Sequence, residues 1–511
     1  MYLLFAVTLY FIVLSSNIHT AVASPIQIGL NLAGISDHAS QWAFTNAFLS
    51  SRPWTGEKTG VSGYYRDGLE IDENGWIKYL NPGETAFSLM FVDIEKNYPQ
   101  GEYLLKYDGE GRLQFKWNVS VRRQGKGYVV LDVKPHNAGI EVRITETNSN
   151  NPIRNIRLMM PGDWQQNAAA PFHPNFLKTI KDFSIYRFMD WQETNNSKIS
   201  SWRERAKVTD ATFSGGRGVP LEYMVSLCNL QQASPWFNIP HLADDEYVEK
   251  FANYVKDHLS PSLNIYVEYS NEVWNTIFKQ HRYAVDMGRK MRLSENDFQA
   301  FARFYSQRSV EIFRIWTKVF PNSARMKFIL AGQIGNTWLA KQILEWKGAY
   351  KIAHAYAVAP YFGNKFCFQE HVEKTKKLSL DGFEVALRDE ILELADKVGQ
   401  QSAALREYKV PLYAYEAGQH LVCGYGNEND DLLNQIFDKI NRDTAMKRLY
   451  LLYLQLWKKH GGDVMMIFSS IEKPSKWGRW GIMENMYSER AVSPKLDAIL
   501  DFMESEQLNV R

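Results

Sequence analysis

Cysteine is scarce in this chain: three residues in 511, Cys228, Cys367 and Cys423. That count allows at most one internal disulfide and excludes a disulfide-stapled scaffold, so the 45% hydrophobic content must build its own core. An excess of either charge is lacking too. Lys plus Arg total 59 against 57 for Asp plus Glu, and no basic run of the kind that tracks a phosphate backbone occurs, which argues against a nucleic-acid partner. There is no His-Glu-x-x-His spacing and no paired cysteine cluster, so no catalytic metal is expected. Neither a Gly-rich phosphate loop nor a Gly-x-Ser-x-Gly elbow is present, which argues against a nucleotide enzyme or an esterase; no cofactor is expected.

Long apolar runs are confined to the start. "MYLLFAVTLYFIVLSSNIHTAVASP" carries one from Tyr2 to Leu14 and ends in the small-residue pattern Ala21-Val22-Ala23, the form of a secretory signal over residues 1–23 cleaved before Ser24. It has no basic leading segment, which leaves an uncleaved anchor as the alternative, but the run falls short of the ~20 residues that span a bilayer. A secreted, extracellular protein is the expectation. Two glycosylation sequons, at Asn118 and Asn195, and a disulfide between Cys367 and Cys423 fit that route. Cys228, inside an apolar run read as a strand, is expected to be a buried thiol.

Aromatics are plentiful at 14%, with 15 Trp, more than a core usually requires, and flat-faced ligands such as sugars are one use for the surplus. Residues 24–61 contain at least one strand of open assignment. Residues 62–150 read as short alternating segments separated by turns, a β-sandwich-like module in which "YDGEG" marks a hairpin. From 151 to 511, apolar runs alternate with helical patterns. The strand candidates are 153–160, 183–189, 221–229, 264–270, 326–332, 352–362, 410–418 and 462–470. Eight βα units predict a (β/α)8 TIM barrel, an α/β fold whose strands are buried on both sides.

In such a barrel the chemistry gathers at the carboxyl ends of the strands. Glu272 follows the fourth candidate in "NIYVEYSNEVWN", and Glu416 ends the seventh. Strands four and seven lie nearly opposite, so these carboxyls are expected to face one another across a cleft at about 5 Å, the separation a retaining glycosidase needs. One acid then protonates the leaving oxygen and later activates water, while the other attacks the anomeric carbon. Arg187 and Tyr361, after strands two and six, are placed to donate hydrogen bonds to the nucleophile; Arg187 as a salt-bridge partner of Asp190 or Glu193 is the alternative. Trp191, Trp236, Trp274, Trp477 and Trp480 are candidate sugar-stacking platforms. Asp163 and His173 are further polar residues after the first candidate. The segment 366–409 is a candidate cleft wall. Arg203, Arg205 and Lys207 either meet an acidic sugar or form a solvated face.

Asn271-Glu272 and Glu416 at those two strand ends resemble clan A of the glycoside hydrolases, the retaining TIM-barrel group that includes family 5 cellulases and mannanases. The resemblance implies Glu272 as acid/base, Asn271 as a ligand of the sugar 2-hydroxyl and Glu416 as nucleophile. It also implies Arg187 and Tyr361 as the arginine and tyrosine that support the nucleophile. It covers about residues 152–500. "VEYSNEVWN", "GLNLAGIS" and "SRPW" also resemble secreted proteins labelled cellulose-binding. Two departures stand out. Family 5 has a histidine after strand three, where the expected strand ends in Cys228-Asn229, and a tryptophan ending strand eight, where this chain has Phe468-Ser469; Trp477 or Trp480 is the candidate substitute. The function implied is hydrolysis of β-glycosidic bonds in a polysaccharide or glycoconjugate. The alternative is a carbohydrate-binding protein on a barrel without turnover.

Overall fold

A computed structural model describes residues 26–162, 164, 171–424 and 426–508. The signal over 1–23 and Asp163 lie outside the described residues. Eight parallel strands close into a barrel: β1 (Ile28–Asn31), β2 (Ile185–Arg187), β3 (Ser234–Ile239), β4 (Ile265–Tyr269), β5 (Met326–Ala331), β6 (Ala355–Val358), β7 (Leu412–Ala417) and β8 (Gly462–Ile467). This is the expected (β/α)8 fold. Closure occurs where β1 pairs on one side with β8, Ile28 opposite Met465, and on the other with β2, Asn31 opposite Arg187.

Burial on both strand faces produces two apolar sets. One fills the barrel interior, including Trp236, Tyr266, Ile329, Tyr415 and Met466; the other packs the outer strand faces against the helices. The interior is tight enough that a Cβ on Gly29 would run into Met466 and Ile185, which accounts for glycine there.

Two of the eight expected strands were misplaced. Residues 153–160 do form a strand, Arg154–Met159, but it pairs antiparallel with Gly101–Asp108, Leu158 opposite Leu105. Its burial alternates, Ile156 and Leu158 inward and Arg157 outward, as on a half-exposed antiparallel sheet. The first barrel strand is instead Ile28–Asn31, from the segment whose assignment was open. The run 221–229 is a helix, Leu221–Gln231, burying Leu221, Met224, Val225, Leu227 and Cys228 at helical spacing. Cys228 is a buried free thiol, on a helix and not a strand. The third strand follows at "SPWFNI", where Pro235 disguises it, since proline is rare in an interior strand. Each error replaced one strand by another, so the fourth and seventh strands keep their numbers.

The chain between β1 and β2 carries two four-stranded antiparallel sheets. In one, Thr55–Lys58, Glu84–Met90, Ile140–Thr147 and Gly111–Lys116 lie in that order; in the other, Arg154–Met159, Gly101–Asp108, Tyr128–Val133 and Val119–Gly125. Their inward residues, among them Val142, Ile144, Leu105 and Leu131, join the apolar cluster that also covers the outside of the barrel. The module hangs from the carboxyl end of β1, and Asp93, just beyond one of its strands, reaches the rim of the cleft. A disulfide joins Cys367 to Cys423, Cα atoms 5.1 Å apart, tying the loop after β6 to the loop after β7. No helix among the described residues is long and apolar enough to cross a membrane.

Candidate active site

Arg187 organises the carboxyl end of the barrel. It ends β2 with its side chain fully buried. Nη1 donates to Glu416 Oε1 at 3.0 Å and to Asn31 Oδ1 at 3.1 Å; Nη2 donates to Glu268 Oε2 at 2.9 Å and to Asn271 Oδ1 at 2.8 Å. Nε also reaches Glu268 Oε2, at 3.1 Å. A buried guanidinium is costly unless its charge is matched, and here two carboxylates match it. Burial alone would lower its pKa, yet Glu268 and Glu416 raise it, so the cation is permanent. The expected support of Glu416 by Arg187 is present; a salt bridge to Asp190 or Glu193 is not among its ion pairs.

Glu416 takes a second hydrogen bond from the Tyr361 hydroxyl, 3.0 Å to Oε2. Burial, then the neighbouring Glu416 charge, pushes the Tyr361 pKa well above its usual value, which keeps the phenol a donor. Both Glu416 oxygens therefore accept a hydrogen bond.

Glu272 is held differently. Beyond β4 the backbone turns through left-handed conformations at Ser270 (φ 61°) and Glu272 (φ 41°), strained for non-glycine residues. Gln280 pins the turn, its Nε2 donating to the Asn271 carbonyl at 2.9 Å and to Asn195 Oδ1 at 2.7 Å. Glu272 Oε1 accepts from the Tyr415 hydroxyl at 3.1 Å, which accepts in turn from Trp274 Nε1 at 3.1 Å; Oε2 accepts from Asn275 at 2.8 Å. Among the described residues no cation forms an ion pair with it. Burial, and next the charge of Glu416, raises its pKa from 4.5 to about 7. Two carboxyls from opposite strands thus sit in different environments, one beside a guanidinium and the other holding its proton more tightly than usual.

Asn271 is buried between Arg187 and Asn195, with Nδ2 donating to Asn195 Oδ1 at 3.1 Å. The Asn195 sequon consequently falls inside the cleft, whereas Asn118 is exposed at a turn. The tryptophans divide. Trp477 is exposed and Trp480 half-buried, both lining a cavity of about 890 Å³ beside β1, β2 and β8. Trp274 lines a second cavity, about 480 Å³, with Glu272, Tyr361 and His420, walled by Phe368, Glu390 and Lys397 from the expected 366–409 segment. Trp191 and Trp236 are not platforms. Trp191 is buried among Phe44, Phe172, Phe176 and Phe188, and Trp236 lies inside the barrel, stacked on Tyr266 with Nε1 bonded to Glu268 at 2.8 Å.

Other expectations are corrected by position. Arg205 is paired with Glu222 and Lys207 with Glu73, and neither these nor Arg203 line either cavity. His173 caps a helix by accepting from Asn175 N at 3.1 Å. With β3 correctly placed, a histidine does follow it: His241, buried, its pKa lowered to about 4 by burial. Trp480 packs edge-on to Phe468 at 5.6 Å, and its Nε1 donates to His420 Nδ1 at 3.1 Å. Glu268, on the same strand as Glu272, is expected from its place to face an interior or helix partner and does, on Arg187 and Trp236. Asn31, Tyr415 and His420 were not anticipated. Asn31 sits within a strand, where apolar neighbours hide it; Tyr415, adjacent to Glu416, was open to recognition as a strand-end donor. Among the described residues no group of His, Cys, Asp and Glu forms a metal cluster.

No model of a known protein family matches the chain, and no curated protein does. Solved structures do. A 4-O-α-L-rhamnosyl-β-D-glucuronidase from Fusarium oxysporum 12S is 13% identical with a TM-score of 0.39, over 64% of this chain and 63% of that one. XEG5A, a GH5 xyloglucan-specific endo-β-1,4-glucanase from a metagenomic library, is 11% identical with a TM-score of 0.37, over 67% and 90%. Xylanase 10C from Cellvibrio japonicus is 9% identical with a TM-score of 0.37, over 89% and 97%. This chain therefore spans less than two thirds of the first of these proteins.

Proposed function

We propose that this protein is a secreted retaining glycoside hydrolase that cleaves β-glycosidic bonds of a polysaccharide or glycoconjugate by double displacement. The observation that carries the reading is the asymmetry of the two glutamates. Glu272, its pKa raised to about 7, keeps a proton to give near neutral pH and stands beside an open cavity, as an acid must, while Glu416 accepts hydrogen bonds from Arg187 and Tyr361.

In the first step Glu416 attacks the anomeric carbon as Glu272 gives its proton to the departing glycosidic oxygen. The sugar is then held as an ester on Glu416. In the second, Glu272, now a carboxylate, takes a proton from water, which displaces Glu416 and releases the sugar with its anomeric configuration retained. Tyr361 and Arg187 hold Glu416 in line through both steps; Asn271, fixed by Arg187 and Asn195, presents its amide toward the sugar 2-hydroxyl. The Cys367–Cys423 disulfide and the exposed Asn118 sequon support passage through an oxidising compartment.

The test is reducing-end release by the chain from Ser24 onward across neutral and acidic polysaccharides, with Glu416→Gln as control. Release that disappears in the variant upholds the reading. Binding without release in either protein replaces it with a carbohydrate-binding function, and products of inverted configuration by proton NMR overturn the double displacement.

A further inference from the structure

The two antiparallel sheets between β1 and β2 carry a hollow of their own, about 520 Å³, lined by Arg52, Tyr64, Arg66, Phe87, Trp117 and Glu141 among others. Two of its rings are open to solvent, Tyr64 at 69% exposure and Trp117 at 48%. Neither is loose. The Trp117 ring lies parallel to that of His136, centroids 6.0 Å apart, and the Tyr64 ring stands edge-on to Phe87 at 5.2 Å. Backed rings of this kind present fixed flat faces, and two at one hollow make a patch where scattered exposure would set them apart.

Trp117 also stands where the fold alone favours glycine. It begins the two-residue link from Gly111–Lys116 to Val119–Gly125, strands of different sheets, and its φ of 71° is left-handed, a strained state for so bulky a residue. The side chain joins neither apolar core cluster among the described residues. Strain held by a ring that packs no core points to a use outside the fold. The hollow also borders the cleft. Arg52 in its wall donates through Nε to Asp37 Oδ2 at 2.9 Å, and Ser36 and His38, on either side of Asp37, line the cavity over β1, β2 and β8.

We propose that Tyr64 and Trp117 form a second binding site, for a strand of the same β-linked polysaccharide that the cleft takes on the hydrolase reading above. The chemistry fits a sugar chain. The C–H faces of its rings stack on indole and phenol, and its hydroxyls find partners in the polar groups set between them. Arg66 is exposed, with no ion pair among the described residues, so its guanidinium is free to donate. Glu141 is already held, by Arg143 at 2.7 Å and Lys116 at 3.3 Å. A strand that leaves the cleft over Ser36 and His38 meets Arg52 and then the two rings. Holding one polymer at two places raises its effective concentration at the cleft without a new contact there, so long chains gain and small glycosides do not.

The experiment runs the chain from Ser24 onward, carrying Glu416→Gln so that no probe is consumed, through gels containing hydroxyethylcellulose, xyloglucan or glucomannan. Retardation by at least one polymer is expected. Tyr64→Ala and Trp117→Ala are each expected to weaken binding about tenfold, and Trp117→Tyr, which keeps a flat ring, by less than about threefold. With Glu416 restored, kcat/KM of the double alanine variant on 4-nitrophenyl β-D-cellobioside is expected to stay within about twofold of the parent, with the melting temperature unmoved. A chain with Asn118→Gln, which carries no glycan beside Trp117, is expected to bind no more weakly. No retardation by any polymer, retardation unmoved by the two alanines, or loss of small-substrate turnover with them overturns the proposal. Weaker binding with Asn118→Gln, or a dimer in sedimentation that the alanines dissociate, overturns it too, by assigning the rings to the chain's own glycan or to a second copy. Ring-dependent binding without turnover leaves it standing and removes the hydrolase reading; turnover of the polymer with binding indifferent to the rings does the reverse.

Discussion

The ends of β4 and β7 carry the same residue type and make opposite use of it. At β7, Glu416 meets a guanidinium and a phenol on its two oxygens. At β4, Glu272 meets a phenol and an amide, no cation, and the field of the other carboxylate. Carboxyl chemistry is set by neighbours: charged donors stabilise the anion, and burial next to another anion stabilises the acid. Two glutamates therefore become a base-like and an acid-like group with no difference in side chain.

Substitutions sharpen that contrast in a graded way. Glu416→Gln keeps shape and removes the proposed nucleophile, so kcat is expected to fall by about 10⁴-fold or more on every substrate while the melting curve changes little. Steady-state kinetics with calorimetry check both. Arg187→Met strips the shared counter-charge from Glu268 and Glu416, and the unfolding free energy in urea is expected to drop by about 3–5 kcal/mol, as for a buried pair that loses one member. A loss under 1 kcal/mol would show that the cluster is not held by this cation.

Glu272→Gln is expected to slow substrates with poor leaving groups by about 10²- to 10³-fold and activated aryl glycosides far less, because the latter need little protonation. On the proposed function, kcat/KM of the unaltered protein is expected to fall above about pH 7, where Glu272 loses its proton. The same pKa has a stability consequence. Its folded value lies above the ordinary 4.5, so the folded state holds the proton more tightly; stability is full below pH 4.5 and is lost as pH rises through 7. Glu272→Gln is accordingly expected to match the parent's melting temperature at pH 4.5 and exceed it at pH 8, by on the order of 2–3 kcal/mol of stability. Equal melting at both pH values would place Glu272 in an ordinary, solvated state. The smallest change is Tyr361→Phe, which removes one hydrogen bond to Glu416 and is expected to cost about tenfold in kcat/KM, with KM nearly unchanged.

The fold and the two central residues were legible in the amino-acid order for a simple reason. Parallel strands buried on both faces leave near-continuous apolar runs, and the first polar residues past such runs mark the site, as with Glu272, Glu416 and Tyr361. The rule failed where strand chemistry was atypical. Pro235 broke the pattern of the third strand, and the adjacent helix offered a false substitute in "LEYMVSLCN". The first strand, Ile28–Asn31, is four residues long and separated from its neighbour Ile185–Arg187 by more than 150 residues, a pairing no local pattern encodes.

Sequence by itself determined the α/β barrel, the pair of glutamates on strands four and seven, and the cysteines free to join, because these follow from hydrophobic period, position and count. Only the tertiary structure decided which strands close the barrel, which tryptophans face a cleft and which are packing, and that Asn195 stands beside Asn271. It alone gave the two glutamates different partners, Arg187 and Tyr361 at Glu416 and Tyr415 and Asn275 at Glu272, side chains brought together from β2, β6, β7 and the loop after β4. Electrostatic environment depends on distance in space, and spacing along the chain does not report it.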